Sequence, residues 1–184
     1  PTESKPPTPA ADPPFHLSEL QHFPMRASCL ATHTTLPDLQ PRQRARLLRY
    51  FADAVDGLPE LRDILILVES AAPQLTRIKE LIESVEAFKL VVAYLSTVEN
   101  HREVTTFFDL ACGHGLVGVM LAYAYPERRV MACDRTRRPS FDVFVRAFGA
   151  FASAEAAGEP APTVPEEVSW RSGGTDRVIG IEEA

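Results

Sequence analysis

The segment that most constrains the fold of this chain is Phe107–Leu116, with the sequence FFDLACGHGL. A short apolar run that contains Asp109 leads into a Gly-x-Gly, and a helical pattern begins directly after it. A second apolar run, Val130–Cys133, follows and ends in Asp134. Strand, glycine turn, helix and second strand in this order predict a βαβ unit with two parallel strands.

By composition the chain divides into four predicted regions. Residues 1–14 are predicted to be a disordered tail, because six prolines in that stretch prevent a helix or a sheet interior. Residues 15–40 are predicted to be irregular. Residues 41–100 form a predicted helical region, in which Pro41, Pro59 and Pro73 each begin a helix with apolar residues three and four apart. Residues 101–184 hold a small sheet.

This last region has room for about three strands. The expected order is strand, helix, strand, helix, strand, with bounds at 104–110, 116–125, 129–133, 139–157 and 168–171. The predicted fold class is therefore α/β, an incomplete parallel sheet preceded by an N-terminal helical region. So small a sheet leaves a strand edge and an apolar face open, which predicts low stability or a protein partner that covers them.

Composition excludes several classes of protein. With 45% hydrophobic and 24% charged residues the chain is typical of a soluble globular domain, and a net charge of −6 argues against coating nucleic acid through bulk charge. No apolar run approaches the ~20 residues that cross a bilayer. Cys29, Cys112 and Cys133 form no Cys-x-x-Cys, so neither a disulfide framework nor a metal site is expected. A reducing compartment is favoured, the cytoplasm first and the nucleus as the other option.

The glycine turn suits a nucleotide-like cofactor. Glycine lets the backbone approach a ligand closely and adopt positive φ, and the N–H groups that open a helix favour an electronegative ligand atom. Asp134, at the tip of the neighbouring strand, is placed to accept hydrogen bonds from two ribose hydroxyls. His114 could act as a general base, although the middle position of such a loop tolerates many side chains.

Two classes of cofactor compete for this turn. Gly113–Gly118 matches the Gly-x-Gly-x-x-Gly of dinucleotide-binding domains. Asp109 argues against a dinucleotide, because the strand before such a loop is usually apolar throughout and an anion there repels a diphosphate. A carboxylate beside the turn instead suits a cofactor that carries ammonium and sulfonium cations.

The segment Asp109–Gly115 resembles motif I of class I S-adenosylmethionine-dependent methyltransferases, and Cys133-Asp134 resembles the acid after their second strand. The resemblance covers roughly residues 100–150. It implies a Rossmann-like sheet and methyl transfer from S-adenosylmethionine. It also implies that the following residues bind the cofactor, with Asp134 on the ribose and Arg135 beside the adenosine: Asp109, Ala111, Cys112, Gly113, Gly115, Asp134 and Arg135.

By the same resemblance the chain holds the cofactor half of such a site and lacks most of the substrate half, so it is expected to be truncated or inactive alone. The sequence identifies no catalytic residue. RNA is slightly favoured as methyl acceptor over protein or a small molecule, because six arginines cluster: Arg128, Arg129, Arg135, Arg137, Arg138 and Arg146. The alternatives are a nicotinamide-binding oxidoreductase domain and a non-catalytic module in which residues 41–98 bind a partner.

Overall fold

The structure is a computed structural model that describes residues 33–160 except 54, 56 and 57, together with residue 162 and the backbone of residues 181–183. This part of the chain is mixed α/β, with five α-helices and a parallel sheet. The elements in chain order are α1 (Pro41–Asp53), α2 (Leu61–Ala71), α3 (Ile78–Thr97), β1 (Thr106–Leu110), α4 (Leu116–Ala124), β2 (Arg129–Cys133), α5 (Pro139–Ala157) and β3 (Ile181–Glu183). The predicted tail at 1–14 and residues 15–32 of the predicted irregular region 15–40 lie outside the described residues, and the described remainder of that region contains a 3-10 turn at Leu36–Asp38.

The sheet has the order β1-β2-β3. Thr106 lies opposite Arg129 and Leu110 opposite Cys133, so β1 and β2 run parallel, and α4 makes the crossover that parallel strands require. β3 pairs in parallel with the other edge of β2. The strand predicted at 168–171 lies outside the described residues, whereas the strand at 181–183 was missed by the sequence analysis.

Helix α4 is the element around which the others pack. It is apolar on every side, and its buried residues are Leu116, Gly118, Val119, Met120, Leu121 and Ala122. One side contacts β1 and β2, and the remaining sides contact α3 and α5. A helix of this kind is stable only when it is covered all round. The helical region and the sheet region therefore share a single cluster of buried side chains, which runs from Leu36 to Phe151.

Prolines mark helix starts in only part of the chain. Pro41 and Pro139 begin α1 and α5 as predicted. The predictions at Pro59 and Pro73 were wrong, because α2 begins at Leu61 and Pro73–Leu75 is a separate 3-10 turn. At Pro73 the reason is a tertiary contact before α3. Arg77 is extended and pairs antiparallel with Thr35, which prevents a continuous helix from Pro73.

The face of the sheet opposite α4 is open at β1. On the covered face, Asp109 contacts α4 and Phe107 contacts Tyr125 directly after that helix. On the other face, Phe108 and Leu110 are 62% and 71% exposed. In the described part of the chain β1 is also an edge strand. An exposed apolar surface beside an unpaired strand edge favours association with another chain.

We expect the double variant Phe108→Thr with Leu110→Thr to associate less than the natural chain while it keeps its fold. Threonine suits a strand, and neither original side chain is buried, so the free energy of unfolding should change by about 0.5 kcal/mol or less per site. Size-exclusion chromatography with light scattering over a concentration series, and urea unfolding, measure the two effects. The matched control is Phe107→Thr on the other face, which should lose about 2–4 kcal/mol of stability. Equal association of the double variant and the natural chain would contradict this prediction.

Candidate functional site

Three residues with left-handed backbone shape the turn between β1 and α4. Ala111, Gly113 and Gly115 have φ of 61°, 60° and 78°. The Gly115 N–H donates to the Cys112 carbonyl oxygen at 2.8 Å and closes the turn directly before α4 begins. Because alanine rarely adopts positive φ, Ala111 carries local strain in this turn. The turn presents backbone rather than side chains at the carboxyl edge of the sheet.

Glycine is required at position 115 for a second reason. A Cβ placed there would lie 2.3 Å from Cδ2 of Phe141, which belongs to the first turn of α5. Gly113 differs, since a Cβ placed there meets no atom within 4 Å. Gly115 therefore lets α5 pack against the turn, while Gly113 serves the backbone conformation alone.

Asp109 lies behind the turn. Its Oδ2 accepts a hydrogen bond from the Gly118 N–H at 3.1 Å, within the first turn of α4. Burial raises the pKa of the Asp109 carboxyl, while the Gly118 hydrogen bond and the nearby His114 lower it less strongly. A Cβ at Gly118 would lie 3.0 Å from the same oxygen, so the third glycine of the motif makes room for this carboxylate.

His114 is a structural residue of the turn, a role that the sequence analysis missed. Its Nδ1 accepts the N–H of Leu116, the first residue of α4, at 3.2 Å. The ring packs edge-on against Phe144, with ring centroids 5.9 Å apart. Burial lowers the pKa of His114, so the ring is neutral near pH 7 and suits the acceptor role. Only the tertiary structure reveals this, because nothing in Gly-x-Gly specifies where the middle side chain points.

Asp134 joins the end of β2 to the glycine turn. Its Oδ2 accepts the Gly113 N–H at 2.8 Å, and its Oδ1 accepts the Arg135 N–H at 2.6 Å. These hydrogen bonds, first the one from Gly113, lower the pKa of the Asp134 carboxyl. The side chain is exposed and ionised at neutral pH. The two predicted acids thus lie on opposite sides of the same turn.

A cleft of about 160 Å³ opens in front of Asp134. It is lined by Cys112, Gly113, Ala132, Asp134, Thr136, Arg137, Arg138 and Phe141. Three predicted site residues therefore share the cleft: Cys112, Gly113 and Asp134. Asp109, Ala111, Gly115 and Arg135 do not line it. Asp109 lies behind the turn, Gly115 is a buried residue of the turn, and Ala111 and Arg135 are exposed.

The side of the cleft that follows Asp134 was not predicted from the sequence. Thr136, Arg137 and Arg138 form the loop into α5, and Phe141 follows in that helix. The Arg137 guanidinium lies 5.5 Å from the centre of the Phe141 ring and pairs with Asp142 at 2.5 Å. The signal in the sequence was their position just after the second strand, the edge of a parallel sheet where ligands bind.

The predicted arginine cluster is divided in space. Arg128 is a packing residue, because its side chain is 8% exposed and stacks on the rings of Phe107 and Tyr125. Arg129 and Arg146 are exposed elsewhere, and Arg135, Arg137 and Arg138 are exposed beside the cleft. Three of the six arginines thus lie together at the candidate site.

Cys112 and Cys133 are half-buried free thiols, and Cys29 lies outside the described residues. Burial first, and the neighbouring acids next, raise the pKa of the Cys112 thiol, which disfavours a reactive thiolate. Among the described residues, His, Cys, Asp and Glu form no group of three that could hold a metal ion. What the cleft offers a ligand is the Asp134 carboxylate and a rim of arginines, with the Asp109 carboxylate behind the turn.

No helix in the described part of the chain has the length and apolar character needed to cross a membrane. Comparison of the chain with protein-family models, curated proteins and solved structures found no match.

The two glycines of the turn should differ in their tolerance of alanine. Gly113→Ala adds only backbone strain and should cost about 1–2 kcal/mol. Gly115→Ala adds the overlap with Phe141 to similar strain and should cost a further 1–3 kcal/mol or so. Urea unfolding of both variants measures the difference, and Phe141→Leu in the Gly115→Ala background should recover part of it. Equal losses at the two glycines would show that the contact with Phe141 does not constrain the turn.

Proposed function

We propose that this chain binds S-adenosylmethionine and is the cofactor half of a Rossmann-like methyltransferase domain in a reducing compartment. The parallel order β1-β2-β3, the crossover through α4 and the glycine turn at the carboxyl edge of β1 support this proposal. Asp109 and Asp134 on either side of the turn support the choice of cofactor.

The observation that carries the proposal is the occupancy of the first turn of α4. The Leu116 N–H is taken by His114 and the Gly118 N–H by Asp109, so two of the groups that would bind a diphosphate already have partners. The Asp109 carboxylate also places a negative charge where a diphosphate would need a positive potential. A cationic sulfonium and ammonium are stabilised by the same charge.

Asp134 retains capacity to bind the ribose. An ionised carboxylate offers about four acceptor positions, and the backbone amides of Gly113, Arg135 and Thr136 use three of them. Its side chain is exposed beside the cleft, so a ribose hydroxyl can reach the remaining position. The proposed role of Arg135 is to flank the adenosine, next to the ribose acceptor.

The small volume of the cleft favours a protein partner that completes the site. Pockets for small-molecule ligands and cofactors enclose roughly 300–1,000 Å³, and this cleft is smaller. Further walls would come from a protein chain that also covers the edge of β1 and the exposed Phe108 and Leu110. Methyl transfer itself then depends on holding acceptor and sulfonium in line rather than on an acid–base residue of this chain.

RNA is the acceptor we favour, because Arg135, Arg137 and Arg138 place positive charge beside the cleft. The variant Arg135→Ala with Arg138→Ala should bind a short RNA more weakly and reduce the salt dependence of binding by roughly two counterions. Arg129→Ala, an exposed arginine at the opposite end of β2, is the matched control. An unchanged salt dependence in the double variant would exclude RNA contact at this rim.

A nicotinamide dinucleotide is the second candidate, since Arg137 and Arg138 supply cations that suit a phosphate group. A third candidate is the non-catalytic module. Leu90 and Tyr94 on α3 are exposed, and they give its predicted binding region, 41–98, apolar side chains that a partner could contact.

We expect isothermal titration calorimetry to detect binding of S-adenosylhomocysteine, with no response to NADH. Asp134→Ala should weaken that binding about ten- to a hundredfold, because a ribose hydroxyl and the Gly113 amide both lose a charged acceptor. The control is Asp63→Ala, an exposed aspartate on α2. NADH binding without S-adenosylhomocysteine binding would favour the dinucleotide, and binding of neither would favour the interaction module.

A further inference from the structure

Beyond the cofactor itself, we propose that the neutral ring of His114 positions the glycine turn for binding, and that protonation of His114 releases the turn and weakens cofactor affinity. The identity of the cofactor rests on the proposed function, whereas the placement of His114 does not.

The hydrogen bond requires one protonation state. Because the Leu116 N–H donates to Nδ1 at 3.2 Å, Nδ1 carries no proton and the ring proton resides on Nε2. Adding a proton to Nδ1 turns the acceptor into a donor that faces another donor. The contact at the first residue of α4 is then lost, and a cation faces the positive end of the helix.

The charged groups around the ring come from three directions. Glu80 and Glu83 on α3 and Asp109 on β1 favour the protonated ring, whereas Arg138 before α5 opposes it. Burial of the ring beside Phe144 disfavours the charge most strongly, and the balance lowers the pKa of His114. The neutral, accepting ring therefore predominates at pH 7, and the change of state falls on the acidic side.

The ring is coupled to the cofactor site through its neighbours in the chain. Gly113, on one side, donates its N–H to Asp134, the proposed ribose acceptor. Gly115, on the other side, holds the turn closed through the Cys112 carbonyl and packs on Phe141. When the hydrogen bond between His114 and Leu116 is lost, the turn that contains both glycines is less constrained. The hydrogen bond between Gly113 and Asp134 is then weakened.

The sign of the effect follows from linkage. The unfolded chain binds a proton at His114 near pH 6.5, whereas the folded chain resists it, so stability falls as pH drops from about 6.5 toward the lower folded value. A cofactor that binds only the neutral form should lose affinity up to about tenfold per pH unit below the pKa of free, folded His114. Asp134 does not interfere, because its pKa is lowered from a value that is already acidic.

Two measurements test this on the full chain. Calorimetry with S-adenosylhomocysteine from pH 5 to pH 7.5 should show affinity falling toward acid pH. His114→Asn, which keeps an acceptor but cannot titrate, should flatten that profile and retain more affinity than His114→Ala. His101→Asn is the control, since His101 lies in the 3-10 turn before β1, and its profile should match that of the natural chain.

NMR of the unliganded chain separates the two proposals. The Leu116 amide shift should follow the titration of the His114 ring, and this result needs no cofactor. The proposed role of His114 would be overturned if the Leu116 amide shift did not change as the ring titrates. It would also be overturned if S-adenosylhomocysteine bound with the same affinity across this pH range. Failure to bind S-adenosylhomocysteine at every pH, with the amide titration intact, would overturn the proposed cofactor alone.

Discussion

The rest of the structure depends on how the first turn of α4 is held. Two of its amides, those of Leu116 and Gly118, donate to side chains from the turn and from β1, and the turn itself is linked to the end of β2 through Asp134. A helix start left without such partners is costly when buried. Two carboxylates and a neutral imidazole thus fix the place where the two strands and the helix meet.

The same helix explains the distribution of the other elements. Because α4 is apolar on all sides, the sheet alone cannot cover it, and α3 and α5 complete the burial. The helices collect on one face of the sheet as a result. The opposite face is open at Phe108 and Leu110, and a parallel sheet ordinarily has both faces covered. The packing of the helices on one face of the sheet thus has two results. It holds the glycine turn in place, and it leaves the apolar surface at the edge of β1 exposed.

Local signals predicted the parts of the fold that local chemistry controls. The bounds of β2 and α5 agree with the sequence prediction. Helix α5 has local signals at both ends, since it begins at Pro139 and is capped by Gly158, whose φ is 66°. Prediction failed where distant residues decide, as at Pro73, where the pairing of Arg77 with Thr35 prevents a longer helix. At the site, Gly113 and Asp134 could be predicted from the glycine turn and the acid after the second strand, and Cys112 only from the family resemblance. The roles of His114 and Phe141 could not, because they come from contacts between elements that the sequence pattern does not relate.

The variant Asp109→Asn shows whether the charge of Asp109 selects a cationic cofactor. Asparagine keeps an acceptor for the Gly118 N–H and removes only the charge. We expect S-adenosylmethionine to bind this variant about tenfold more weakly, whereas the affinity for S-adenosylhomocysteine, which lacks the sulfonium charge, should fall less. Because burial opposes the charged carboxyl, the free energy of unfolding should not decrease. Equal affinity of the natural chain and the variant for S-adenosylmethionine would show that the charge of Asp109 does not select the cofactor.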